Sequence, residues 1–166
     1  MKNLILCGFM GCGKTTIGFR LARLLSMEYI DLDTELEQTA GLSIPDIFSR
    51  FGEDYFRDLE HQAVAGLAKR INCVVSTGGG ALTFARNMEA IDPLDTVIFL
   101  DTPFEVCYGR IKDSGRPIVC STTQEQLRGL FDQRRAAYLS ASTFRVDGSL
   151  PADEAAQAII TMLNLS

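Results

Sequence analysis

The sequence predicts an α/β domain of three layers, in which a parallel sheet is covered on both faces by helices. Two observations carry that expectation. Runs such as Leu4-Ile5-Leu6 and Val97-Ile98-Phe99-Leu100 are apolar without alternation, as in strands buried on both faces. Between such runs, apolar residues recur at helical spacing. The chain has 166 residues, of which 46% are hydrophobic. That suits a single domain over 1–166 whose core needs neither disulfides nor structural metal.

In chain order, β-type runs fall at 3–7, 29–32, 73–77, 96–100 and 143–146. Ile17, Leu21, Leu24 and Leu25 share one face of a helix beginning near Lys14. Residues 33–60 are helical in pattern with no strand, which predicts a helical excursion from the sheet. Phe56, Leu59, Ala63 and Leu67 mark a helix over 53–70, and Phe48, Phe51 and Phe56 are candidate core of the excursion. Residues 113–124 are turn-rich and lack a period, so a mobile flap is expected there. Ala155, Ile159, Ile160 and Leu163 define a last helix entered through Pro151 and Asp153. Beyond Val146 no chemistry-bearing pattern is visible.

Sixteen Lys and Arg against 21 Asp and Glu give a net charge of −5, with no basic run. Such a chain is a poor candidate for nucleic-acid or membrane-surface binding. An anionic ligand must be held by a local pocket against the overall field. The five cysteines (Cys7, Cys12, Cys73, Cys107, Cys120) are odd in number and lack Cys-x-x-Cys spacing. Buried free thiols are expected, not a disulfide framework or a zinc site. The apolar run at 4–7 is far too short for a signal peptide, so a cytoplasmic location is expected.

Gly8-Phe9-Met10-Gly11-Cys12-Gly13-Lys14-Thr15 fits Gly-x-x-x-x-Gly-Lys-[Ser/Thr] and lies between the first strand and the first helix. Glycines let a backbone wrap a phosphate, and the helix start adds unpaired N–H groups and the positive dipole end. The backbone of Gly11, Cys12, Gly13, Lys14, Thr15 and Thr16 is therefore a candidate phosphate cradle. Lys14 can reach the β- and γ-phosphates, and the Thr15 hydroxyl can ligate Mg²⁺. Nucleoside triphosphate binding leaves a small-molecule kinase, a switch or a motor. The length excludes motor machinery, and no Asn-Lys-x-Asp tetrapeptide occurs to read guanine.

Three further patterns suggest an acceptor. Asp31 and Asp33 are two apart at the end of the second strand, where both carboxylates can face one cleft; N-capping by Asp33 is the alternative. Arg57 and Glu60 are helical neighbours, read either as a surface ion pair or as a held fork for a substrate carboxylate. Gly78-Gly79-Gly80 follows the third strand, where close ligand approach or a tight turn would account for it. His61, the sole histidine, is not needed for chemistry.

With these motifs in order, the sequence resembles the shikimate kinases from Leu4 to about Tyr138. The resemblance rests on the phosphate loop, Asp31-Leu32-Asp33, Ile47-Phe48, Gly52-Glu53 through Phe56-Arg57 to Glu60, Ser76-Thr77-Gly78-Gly79-Gly80, Arg116-Pro117, and Arg134 with Tyr138. It implies a P-loop kinase fold like that of nucleoside monophosphate kinases, with a five-stranded parallel sheet in order 2-3-1-4-5. It implies ATP- and Mg²⁺-dependent phosphorylation of the shikimate 3-hydroxyl, a step in aromatic amino-acid biosynthesis; separately, a monomer is expected. By motif, Asp33 bonds the reacting hydroxyl, Arg57 and Arg134 grip the shikimate carboxylate, and Gly78, Gly79 and Gly80 meet the ring. Asp31 joins Thr15 at Mg²⁺, Arg116 closes over the phosphates from a lid at 113–124, and Arg110 lies near adenine. Arg135 rivals Arg134, but the spacing to Tyr138 favours Arg134. Asp101 resembles the metal-holding Asp of other phosphate-loop enzymes, although its strand is not the metal strand in this family.

Overall fold

The computed structural model describes residues 2–164. Five strands, β1 (Leu4–Cys7), β2 (Glu28–Asp31), β3 (Cys73–Ser76), β4 (Thr96–Asp101) and β5 (Phe144–Asp147), pair in parallel in the order β2-β3-β1-β4-β5. The apolar runs account for the centre of the sheet. β1 and β3 are buried at every residue and β4 at its four inner ones. Helix α1 (Lys14–Leu25) follows β1 and packs against β2, β3 and the last helix, α9 (Ala152–Met162). It buries Ile17, Gly18, Leu21 and Ala22. Leu24, expected on that face, is instead 55% exposed.

The excursion consists of α2 (Leu32–Ala40), α3 (Ile44–Phe51) and α4 (Glu53–Gly66), the last continuing into a 3₁₀ turn at Leu67–Lys69. It has its own small core of Leu36, Ile47 and Phe56, with Phe48 and Leu59 packed beside it. Phe51 is not part of that core: it is exposed and stacks on Tyr55 with ring centroids 4.6 Å apart. β2 ends at Asp31, one residue before the predicted limit. The Asp31 carboxylate caps α2 by accepting the Thr34 N–H at 3.2 Å, so Leu32 is already helical.

After β3, a 3₁₀ turn at Ala81–Thr83 and α5 (Ala85–Ala90) lead to β4, followed by α6 (Phe104–Ile111). The turn-rich stretch at 113–124 contains a short helix, α7 (Pro117–Ser121), preceding α8 (Gln124–Ala141). α8 opens on a capping box, with Thr123 and Gln126 each satisfying the other's backbone N–H. Of the five thiols, Cys7, Cys12, Cys73 and Cys107 are buried, whereas Cys120 on α7 is exposed, contrary to expectation. Burial pushes the Cys7 and Cys107 thiols up to about 12, so they remain protonated and unreactive. Among the described residues, no helix is long and apolar enough to cross a membrane.

Candidate active site

The loop from Gly8 to Gly13 joins β1 to α1 across the carboxyl ends of the strands. Gly13 caps α1 at φ 102°, a left-handed conformation suited to glycine, and no side chain caps the helix. The first α1 amides therefore face a cleft of about 700 Å³. The Lys14 ammonium is held in the loop, donating to the Gly8 and Phe9 carbonyls at 2.6 and 3.1 Å, with Cys12 Sγ 3.5 Å away. Thr102, just past β4, fixes the loop from below, its Oγ1 donating to the Cys12 carbonyl at 3.0 Å. Ser76 Oγ donates to the Lys14 carbonyl at 2.9 Å and accepts from Tyr29 at 3.0 Å.

Gly11, Cys12, Gly13, Lys14, Thr15, Thr16, Asp31, Asp33, Gly78, Gly79, Arg110 and Arg116 all line this cleft. Asp31 and Asp33 reach it from the start of α2, not from strand alternation. Arg110 Nη1 donates to the Gly11 carbonyl at 2.8 Å, bracing the loop's outer turn. Arg116 is exposed on the flap at the N-terminus of α7. The segment from Gly148 to Ala152 supplies another wall, although the sequence beyond Val146 gave no hint of a role. Proximity alone brings it here, through pairing of β5 with β4.

The three glycines are where the acceptor-side residues converge. A β-carbon on Gly78 would lie 2.8 Å from Asp33 Oδ1; on Gly79, 3.4 Å from Arg134 Nη1; on Gly80, 2.7 Å from Arg57 Nη1. Three successive residues thus face three successive charged groups, and side chains there would displace them. Tyr138 of α8 donates its hydroxyl to the Gly79 carbonyl, pinning the turn from behind. Asn87 of α5 pins its far side, donating to the Ala81 carbonyl and accepting from His61, each at 2.8 Å. His61 is thereby a structural partner.

Arg57 is no surface ion pair. Its side chain is 13% exposed and that of Glu60 5%, with Nη1 to Oε1 at 2.9 Å. The guanidinium lies between the Phe56 and Phe84 rings, 5.1 and 4.8 Å from their centroids, which fixes its plane. Its buried Nε has no hydrogen-bond partner among the described residues, although Glu53 Oε1 lies 3.5 Å away. Arg134 has no carboxylate within ion-pair distance among the described residues; its neighbour Arg135 turns away to Asp101. Burial, and then the like charge of Asp31, push the Asp33 carboxyl above its ordinary range, while Lys14 and Arg116 pull it down. Burial also raises Glu60 against the pull of Arg57. Burial weakens the hold of Arg134 on its proton, as does the positive charge of Arg57.

Sequence reasoning missed Phe84, Asn87 and Thr102, which lie in no motif, and quoted Ser76 with the glycine motif without a role for it; each acts through a contact made by the fold.

The shikimate kinase model matches residues 10–164. The chain is 42% identical to a shikimate kinase of Persephonella marina over 142 residues, 85% of this chain and 86% of that one. Two solved structures share the fold over nearly the whole chain. A shikimate kinase from Acinetobacter baumannii in complex with shikimate superposes with a TM-score of 0.93 at 36% identity, covering 99% of this chain and 93% of that one. The shikimate kinase of Aquifex aeolicus gives 0.88 at 36% identity, covering 98% and 96%. With the phosphate loop, the ordered acceptor-side residues and a family match over nearly its full length, the chain belongs to the shikimate kinase family.

Proposed function

We propose that this protein transfers the γ-phosphoryl group of ATP to the 3-hydroxyl of shikimate, giving shikimate 3-phosphate and ADP in aromatic amino-acid biosynthesis. The observation that carries the reading is the convergence on Gly78, Gly79 and Gly80. Two arginines and a carboxylate meet there, and the carboxylate, Gly78 and Gly79 line the same cleft as the phosphate loop. Arg57 and Arg134 form a fork for the substrate carboxylate, and Asp33 accepts a hydrogen bond, and then the proton, from the attacking hydroxyl. Its upward shift brings its basicity closer to that task. The α1 amides and Lys14 hold the phosphates, and Arg116 adds charge to the transferring group when 113–124 folds over it as a lid. Phosphoryl transfer requires chiefly this alignment and neutralisation.

The donor set suits Mg²⁺. Thr15 and Asp31 line one cleft, and a hydroxyl plus a carboxylate is the sparse oxygen set that leaves coordination positions for phosphates and water. These two residues would hold it, and the ion would offset negative charge between the phosphates. A cytoplasmic location suits its need for ATP.

A coupled ADP-release assay over a panel of hydroxy acids, including gluconate, tests the reading. Turnover confined to shikimate is expected. ADP release that no acceptor stimulates, or that gluconate or a nucleoside monophosphate stimulates instead, would reject it.

A further inference from the structure

The buried stripe of α8 is narrow. Of its 18 residues, Leu127, Phe131 and Tyr138 are buried, with Phe131 packed on Phe9 and Phe104 and Tyr138 on Phe99, so a contact off that stripe also bears on rotation about the axis. Its function depends on that rotation. Arg134 and Tyr138, four apart, share the face turned to Gly79, whereas Arg135 points about 100° away.

Arg135 is anchored there by a two-pronged contact. Its Nε donates to Asp101 Oδ1 at 3.0 Å and its Nη2 to Asp101 Oδ2 at 2.7 Å. Arg145 of β5 approaches the same carboxylate at 3.8 Å. Asp101 ends β4, and the next residue, Thr102, is buried and holds the phosphate loop at the Cys12 carbonyl. The planar fork restricts both distance and angle, unlike a single ammonium contact. With side chains 38% and 21% exposed, the pair adds little to global stability.

We propose that the Arg135–Asp101 pair is a positioning device for the acceptor site: it completes the rotational setting of α8 so that Arg134 faces the substrate carboxylate, and it refers that setting to the strand end whose next residue, Thr102, holds the phosphate loop. Arg135 touches no substrate; it acts through Arg134. This inference rests on the functional reading above.

Steady-state kinetics of Arg135→Ala, Arg135→Lys, Arg134→Ala and the double alanine variant test it. Arg135→Ala should raise the shikimate KM about fivefold to tenfold, leaving kcat, the ATP KM and the melting temperature near wild type. Arg135→Lys, which keeps the charge without the fork, should fall between. In the Arg134→Ala background the second substitution should add nothing, because the residue it positions is gone. A normal shikimate KM in Arg135→Ala overturns the inference, as does an equal penalty in both backgrounds or a joint loss of both KM values and stability. Failure of the wild-type protein to turn over shikimate would be a different result, removing the functional reading itself.

Discussion

Asp33 places stability and function in opposition. Its carboxyl is pushed above the ordinary value of 3.8 by burial first and by Asp31 second. Between the ordinary and the raised value the folded state binds more protons than the unfolded one, so stability falls as pH rises through that window. At neutral pH the ionised group is a net cost. Asp33→Asn should therefore melt above wild type at pH 7 while losing turnover; a lower melting temperature would contradict the assignment. In the wild type, kcat should fall as pH drops through the raised value, since the base is then protonated. Gly80 makes a second prediction. A β-carbon there would lie 2.7 Å from Arg57 Nη1, and Arg57 is clamped by Glu60 and two rings. Gly80→Ala should raise the shikimate KM by about tenfold or more, equivalent to at least about 1.4 kcal/mol, with little change in the ATP KM. Steady-state kinetics with each substrate varied would show it.

At the scale of elements, the acceptor site depends on α8 and α4 holding the triple-glycine turn between them. Removing the Tyr138 hydroxyl leaves the half-buried Gly79 carbonyl without that partner, a loss of about 0.5–1.5 kcal/mol. Tyr138→Phe should lower the melting temperature and raise the shikimate KM together, measured by calorimetry and kinetics on one preparation. Strong periodic elements were legible in the sequence: the central strands, α1, α4 and α9. Boundaries set by side-chain chemistry were less so. Strand alternation placed Asp31 and Asp33 together for the wrong reason, because the Asp31 cap starts α2 one residue early. The five-residue α7 has no room for a period. The narrow apolar stripe of α8 gave little signal, and its Thr123–Gln126 capping box emerged only in the structure.

For the molecule as a whole, the layered α/β class followed from apolar runs alternating with helical spacing, because parallel strands covered on both sides have no polar face to show. Strand order did not follow from periodicity. It came with the resemblance, and the sheet has that order. The site was legible where chemistry is concentrated in the chain, as at Lys14, Arg57 and the glycines. It was illegible where distant segments contribute walls and braces, as at Gly148 to Ala152 and Thr102. A chain of net charge −5 nevertheless gathers Lys14, Arg57, Arg116 and Arg134 around one end of the sheet, interleaved with Asp31, Asp33 and Glu60, so anionic ligands meet local cations there. The most direct test of that arrangement is a crystal structure with shikimate and a non-hydrolysable ATP analogue bound. The account predicts the acceptor carboxylate within hydrogen-bond distance of both Arg57 and Arg134, and a ring hydroxyl between Asp33 and the γ-phosphate. A carboxylate bound away from these arginines, or a hydroxyl out of reach of Asp33, would contradict it.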